Sequence, residues 1–237
     1  NPTYLGGLEA NAAAIAQLAR AAGAETIAGG DPSCLGLIAP PGALGVDIAV
    51  GTIQPLGIHM HAGGGLGGYI ASRDEARYAA EYPTLLNSIT ETVDGRPAFG
   101  LMLFHQSSYG SRELGKDWTG NSTYLWAIGA AVYMALLGPE GFAELGRLIM
   151  ARTAELAAAL ADVPGVAVLG DGPRWKEVVV DVGGTGRDVA SIHAALLARG
   201  ILGGIALSPT SALYAATEMT TPEDIAALAA ALREIVA

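Results

Sequence analysis

Amine and imidazole chemistry have few places to occur in this chain, because its only lysines are Lys116 and Lys176 and its histidines are His59, His61, His105 and His193. A lysine is the side chain that forms a covalent imine with a carbonyl compound. His59 and His61 stand at i and i+2, so on a strand they would share a face and could hold a metal. A third ligand is missing nearby and a structural zinc usually takes four, so a loop facing a cleft is the preferred reading. His105 and Gln106 follow the apolar run 99–104, and strand ends in open α/β sheets face the ligand crevice. Arg112 and Lys116 come next, in a polar stretch running from His105 to Asn121 that is long for a compact domain and therefore reads as functional or as an interface. These three, His105, Arg112 and Lys116, are the catalytic candidates. His193 lies with Val189, Ile192, Leu196 and Leu197 on one helical face and reads as core. Ser33, His105 and Ser191 lack the elbow motif of a nucleophilic triad. Asp31-Pro32 is a turn starter.

Glycine dominates residues 45–72. Gly63, Gly65 and Gly68 match a dinucleotide-loop spacing, but an extended run follows them instead of a helix, and no Lys-Ser/Thr completes a phosphate loop. Both nucleotide readings are rejected. The net charge of −10 and pI near 4.7 argue against nucleic acid or an anionic membrane as partner. A single cysteine, Cys34, excludes a disulfide framework, fits a reducing compartment and reads as buried filler. No uninterrupted apolar run reaches about 20 residues and no signal pattern is present, which gives a cytoplasmic expectation. The chain opens on Asn1 without an initiator Met, as a processed or trimmed chain would.

The elements that must position these residues follow from pattern. Leu8, Ile15, Leu18, Ala19 and Ala22 predict a helical face stopped by Gly23. Residues 26–30 and 47–50 read as neighbouring parallel strands, 68–71 as an extended run, 73–82 as a charged surface helix, and 99–104 as a third buried strand. Asn121 or Ser122 can cap a helix from 123 to 137 that is apolar nearly all round and so central; Gly138-Pro139 ends it, and Leu145, Leu148, Ile149, Leu156 and Leu160 mark the next. Strands at 166–169 and 177–182, a helix at 189–199, short strands at 201–207 and 212–216, and a last helix begun by Thr221-Pro222 complete a smaller α+β unit. The division predicted is 1–137, part of a large sheet domain with its linking helix, and 138–237, a small C-terminal domain.

Several blocks carry a resemblance. They are Asn1-Pro2-Thr3-Tyr4-Leu5-Gly6, Asp31-Pro32-Ser33-Cys34-Leu35-Gly36-Leu37, Gly45 to Gly51, Gln54-Pro55-Leu56-Gly57-Ile58, Glu91 to Arg96, and Ala131 to Gly141. They resemble the alpha subunit of the decarboxylating glycine dehydrogenase, the P-protein of the glycine cleavage system, and the order of elements resembles the C-terminal half of a fold-type-I pyridoxal-phosphate chain. The resemblance implies an α/β fold of that class. In cofactor-binding members an Asp in the place of Asp31 pairs with the pyridine nitrogen, and a lysine after the next strand holds the cofactor covalently. Here that lysine position is Gln54 or Pro55, and neither side chain can form an imine. The cofactor-site residues implied are therefore a vestigial Asp31, Gln54 and Asn121, with no metal. The family's basic run before the linking helix survives in kind at Arg112, Glu113, Lys116, Thr119 and Asn121, with less positive charge.

The function implied is that of a subunit in glycine decarboxylation, or in the same chemistry on another amino acid. Pyridoxal phosphate would sit in a lysine-bearing beta partner, and a lipoyl-carrying protein would accept the aminomethyl unit. Two alternatives stand beside it: a non-catalytic scaffold of the same fold, or a diverged amino-acid lyase or aminotransferase whose lysine lies upstream. Obligate assembly is also expected. A sheet of residues 26–30, 46–50 and 99–104 would have an uncovered edge, and the apolar helix 123–137 needs surroundings on all sides. The rest of the sheet domain would come from another polypeptide or an upstream segment, with a homologous lysine-bearing subunit against the loop 105–121.

Overall fold

The computed structural model describes residues 2–58, 66–82, 86–116 and 123–237. Its elements in chain order are α1 (Ala12–Ala21), β1 (Ile27–Gly29), β2 (Ile48–Thr52), β3 (Gly68–Ser72), α2 (Ala76–Ala79), β4 (Leu86–Glu91), β5 (Pro97–Met102), α3 (Ser108–Ser111), α4 (Tyr124–Ala161), β6 (Ala167–Leu169), β7 (Glu177–Asp181), α5 (Val189–Leu197), β8 (Ile205–Ala206), β9 (Ser211–Ala215) and α6 (Pro222–Val236). Among the described residues they form three sheets, in the orders β1-β2-β3, β4-β5 and β6-β7-β9-β8.

β1 and β2 are parallel, with Ile27 opposite Ile48, as the two short apolar runs predict. β3 adds to β2 antiparallel. The expectation that residues 99–104 form a third parallel, buried strand is wrong. β5 pairs with β4 in a hairpin, antiparallel and separate from the first sheet, and Phe99 is 80% exposed. Thr92 to Arg96 forms the turn, with Gly95 at φ 77. Apolar character alone predicts burial but does not say which face is covered or by what. The predicted helix over 73–82 is also shorter than expected, reaching only from Ala76 to Ala79.

α1 ends as predicted, with Gly23 at φ 72, but Ile15 and Leu18 of its apolar face are exposed and Ala16 is its buried residue. α4 bends at Gly138, whose φ 61 and ψ −178 break the helical path, and Pro139 starts the second segment. By length and composition alone α4 is apolar enough to cross a membrane. The break leaves roughly 14 residues before Gly138, about 21 Å at the helical rise, against about 30 Å for a bilayer core.

The first segment of α4 packs one side onto Ile53, Leu56 and Ile58 through Ala130, Trp126 and Tyr133. Its other side, with Tyr124, Leu125, Ile128, Val132 and Leu136, is exposed, so this helix is not central within the described residues. The second segment supplies Leu156 and Leu160 to the largest core, with Val178 and Val180 of β7, Ile192 and Leu196 of α5, and Ile225, Leu232 and Ile235 of α6. α5 is capped by Asp188, which accepts from the Ser191 amide at 2.8 Å. α6 opens with a reciprocal box in which Thr221 and Asp224 each take the other's backbone N–H, at 3.1 and 2.9 Å. A small third core joins the two regions, built from Cys34, Ile149 and Trp175.

Candidate functional site

The site is built at the C-terminal ends of the two parallel strands. β1 ends at Gly29; Gly30 donates to the Val50 carbonyl at 3.0 Å, and Asp31 then opens a tight 3-10 turn over Pro32–Gly36. The turn forms because Asp31 accepts from the Ser33 amide at 2.9 Å while Pro32 fixes the first helical position. It lies hard against α4: a Cβ on Gly36 would stand 2.4 Å from the Phe142 carbonyl oxygen, so only glycine fits. β2 ends at Thr52, and Gln54 follows it at the same end of the sheet. The structure thus brings Asp31 and Gln54 to one edge, the place where α/β sheets bind ligands. Tyr69 of β3 crosses that edge and donates from its hydroxyl to the Gly30 carbonyl at 3.4 Å.

Asp31 is fully engaged. Its Oδ1 accepts from the Ser33 amide and hydroxyl, and its Oδ2 accepts from the Trp175 indole N–H at 3.3 Å and is ion-paired with Lys176. Burial pushes this carboxyl up, but the Lys176 and Ser33 hydrogen bonds outweigh it and hold the group below the ordinary carboxylate range. Cys34 is fully buried, as expected of filler; burial and the neighbouring Asp31 charge push its thiol up to about 11, which favours the protonated form. Gln54 turns inward on its own loop, its Oε1 accepting from the Thr52 hydroxyl at 2.6 Å.

These residues do not fit covalently held pyridoxal phosphate. Gln54 and Pro55, which follow β2, carry no amine that could form an imine, and the Asp31 carboxylate is already ion-paired with Lys176 of the same chain.

The other candidates lie in a different module. His105 sits in a 3-10 turn over Phe104–Gln106, exposed, after Leu103 at φ 63. The strand before it is neither buried nor part of the parallel sheet, so the crevice argument that singled out His105 fails. Arg112 is exposed at φ 46. Lys116 reaches the Ala80 carbonyl and Glu81 at the end of α2, and its amide donates to the Gln106 carbonyl. The Gln106 amide oxygen is buried without a hydrogen-bond partner among the described residues. Asn121, His59 and His61 lie outside the described residues, as do Ser122 and Thr119. Among the described residues no group of three metal-ligating side chains occurs. His193 is partly buried edge-on to Tyr214, and burial lowers its pKa.

An open cleft of about 440 Å³ lies at the opposite end of this sheet, where β1 and β2 begin, lined by Arg20, Glu25, Asp47, Arg73, Glu75 and Arg77. Its arginines are already spent: Arg73 binds Asp47 at 2.8 Å, Arg20 donates to the Gly45 carbonyl at 2.7 Å, and Arg77 pairs with Glu25 and Glu75. It reads as a fastening of α1 to β2 and β3. Sequence reasoning missed Trp175 and Lys176 at the site. The signal available was the Trp-Lys pair ahead of a valine-rich strand, which marks a large buried ring beside a cation.

The fold is that of the fold-type-I pyridoxal-phosphate-dependent enzymes. One neighbour of that class is the sphingosine-1-phosphate lyase of Burkholderia pseudomallei, with TM-score 0.65 at 17% identity over 98% of this chain and 50% of that one, a likeness of fold alone. Within that class the chain belongs to the glycine cleavage system P-protein family, whose model matches residues 2–232. A crystal structure of glycine decarboxylase (P-protein) in inhibitor-bound form superposes with TM-score 0.88 at 36% identity, covering 99% of this chain and 53% of that one. The probable glycine dehydrogenase (decarboxylating) subunit 1 of Thermococcus onnurineus is 36% identical over 240 residues, 99% of this chain and 53% of that protein. The chain spans about half the length of the curated relatives it matches.

Proposed function

We propose that this chain is part of a P-protein subunit that takes part in glycine decarboxylation without holding the cofactor itself. The observation that carries the reading is the occupied carboxylate: Asp31 is ion-paired with Lys176, and no lysine follows β2 where a covalent cofactor would need one. Pyridoxal phosphate then belongs to a lysine-bearing partner, with a lipoyl-carrying protein as acceptor and glycine or a related amino acid as substrate. A cytoplasmic location belongs to the same proposal, the lone buried thiol being compatible with a reducing compartment. The partner covers the exposed face of α4 and the β4-β5 hairpin and meets residues 105–116, so that the segment carrying Arg112 and Lys116 shapes the entrance. The division into a sheet domain through residue 137 and a C-terminal domain from Gly138 follows the break in α4.

The test is exchange of the glycine carboxyl carbon with bicarbonate, assayed with the lipoyl carrier. Activity that requires both this protein and a lysine-bearing partner supports the proposal; full exchange by this protein alone contradicts it. The scaffold reading is favoured by one observation, that His105 and Arg112 are exposed and Lys116 is committed to Ala80 and Glu81. On that reading alanine at all three leaves turnover of the complex unchanged, whereas lost turnover with assembly intact excludes it.

A further inference from the structure

Trp175 and Lys176 enter β7 by an unusual path. The Trp175 amide donates to the Gly6 carbonyl at 2.7 Å, the Lys176 carbonyl accepts from the Ala216 amide at 2.8 Å, and between these Lys176 stands at φ 48. A left-handed conformation is uncommon for a side chain of this kind and persists where the surroundings over-determine it. Here the Gly6 and Ala216 backbone hydrogen bonds hold the path, and the side chains it presents meet a carboxylate far away in sequence. The turn carries the Trp175 indole and the Lys176 ammonium onto the same oxygen of Asp31, whose other oxygen is filled by Ser33. The side chains are mostly covered, Lys176 at 28% and Asp31 at 10% exposure, and the Trp175 ring below them is fully buried against Cys34 and Ile149. The other titratable groups facing Asp31 are Glu177 on β7, Cys34 on the 3-10 turn and Tyr69 on β3. Among the described residues, Lys176 is the cationic side chain paired with Asp31.

We infer that the Lys176–Asp31 pair is a latch that holds the C-terminal unit closed over the end of β1 and denies the Asp31 carboxylate to any outside cation. The latch is independent of which reaction the assembly performs. Its loss would leave a buried carboxylate without a counter-charge, the costly half of a buried pair, and the junction would open to hydrate it.

The experiment uses the full protein in its native assembly and reads amide hydrogen exchange at Ser33 and Ala216, which report the two ends of the latch. In Lys176→Ala both amides exchange at least about tenfold faster. n-Propylammonium chloride, which replaces the missing side-chain atoms, restores slow exchange, and sodium chloride at equal ionic strength does not. In an Asp31→Asn background the further change Lys176→Ala has little effect, because no charge remains to be stranded. If Lys176→Ala does not fold, the double variant folds. Wild-type exchange in Lys176→Ala, equal acceleration in the Asp31→Asn background, or a double variant that also fails to fold would overturn the latch.

Discussion

In the C-terminal unit Leu156, Leu160, Val178, Ile192 and Leu232 are 2% exposed or less, whereas Ile89, Phe99, Leu125 and Leu136 in the region before Gly138 are 70% exposed or more. Large apolar side chains occur in both regions, so the contrast is one of coverage. The C-terminal sheet is closed on one face by α4, α5 and α6 of the same chain. The first segment of α4 has a partner surface on one side and apolar side chains facing outward on the other. Large exposed patches of this kind mark interaction sites, and Asp31 lies at the seam between the two regions.

Substitutions that should weigh differently in the two regions test that contrast. Leu160→Ala removes a fully buried side chain and should cost about 2–5 kcal/mol, read as a fall in the calorimetric midpoint. Leu136→Ala should cost less than about 0.5 kcal/mol when the protein is separated from any partner, and more in the assembly. Equal losses at the two leucines in the separated protein would erase the contrast. Gly36→Ala should cost about 1–3 kcal/mol, because the new methyl meets the Phe142 carbonyl and the turn must shift off α4; an unchanged midpoint would show that the seam gives way freely. Thr221→Ala, which breaks the capping box of α6, should cost about 1 kcal/mol by urea unfolding and leave the sheet region's exchange unaltered.

The narrowest effect is on pH. Asp31 and Asp47 are both held below their ordinary carboxylate values, Asp47 by the Thr26 amide, Arg73 and the Thr26 hydroxyl. Their stabilisation is present above the unfolded value near 3.8 and is lost as pH falls through the folded values, since the unfolded state then binds more protons. Thermal stability should thus fall below about pH 4, and Asp31→Asn should flatten part of that fall. A profile unchanged by the substitution would break the link between Asp31 and the seam.

Much of the local order was legible because it rests on short-range chemistry. Gly23, Gly138-Pro139, Thr221-Pro222 and the consecutive valines 178–180 each fix their element within a few residues. What was misread depends on distant partners. Phe99 to Met102 is apolar enough for a buried strand, yet it forms an exposed hairpin strand; Ile15 and Leu18 make a helical face that turns outward. The absence of an imine-forming lysine after β2 was plain from Gln54-Pro55. The capture of Asp31 by Trp175 and Lys176 was not, because the partners are 144 residues or more away in sequence and meet only when both regions have folded. His105 was chosen for standing at a strand end, and the strand proved to be in another sheet.

On the proposed function, this chain shares in glycine decarboxylation and the cofactor is held by a lysine elsewhere in the assembly. Borohydride reduction of the active assembly followed by peptide mapping tests it most directly. The expected result is a phosphopyridoxyl-modified lysine outside residues 1–237, with Lys176 and Lys116 unmodified. A phosphopyridoxyl group on Lys116 or Lys176 would contradict it.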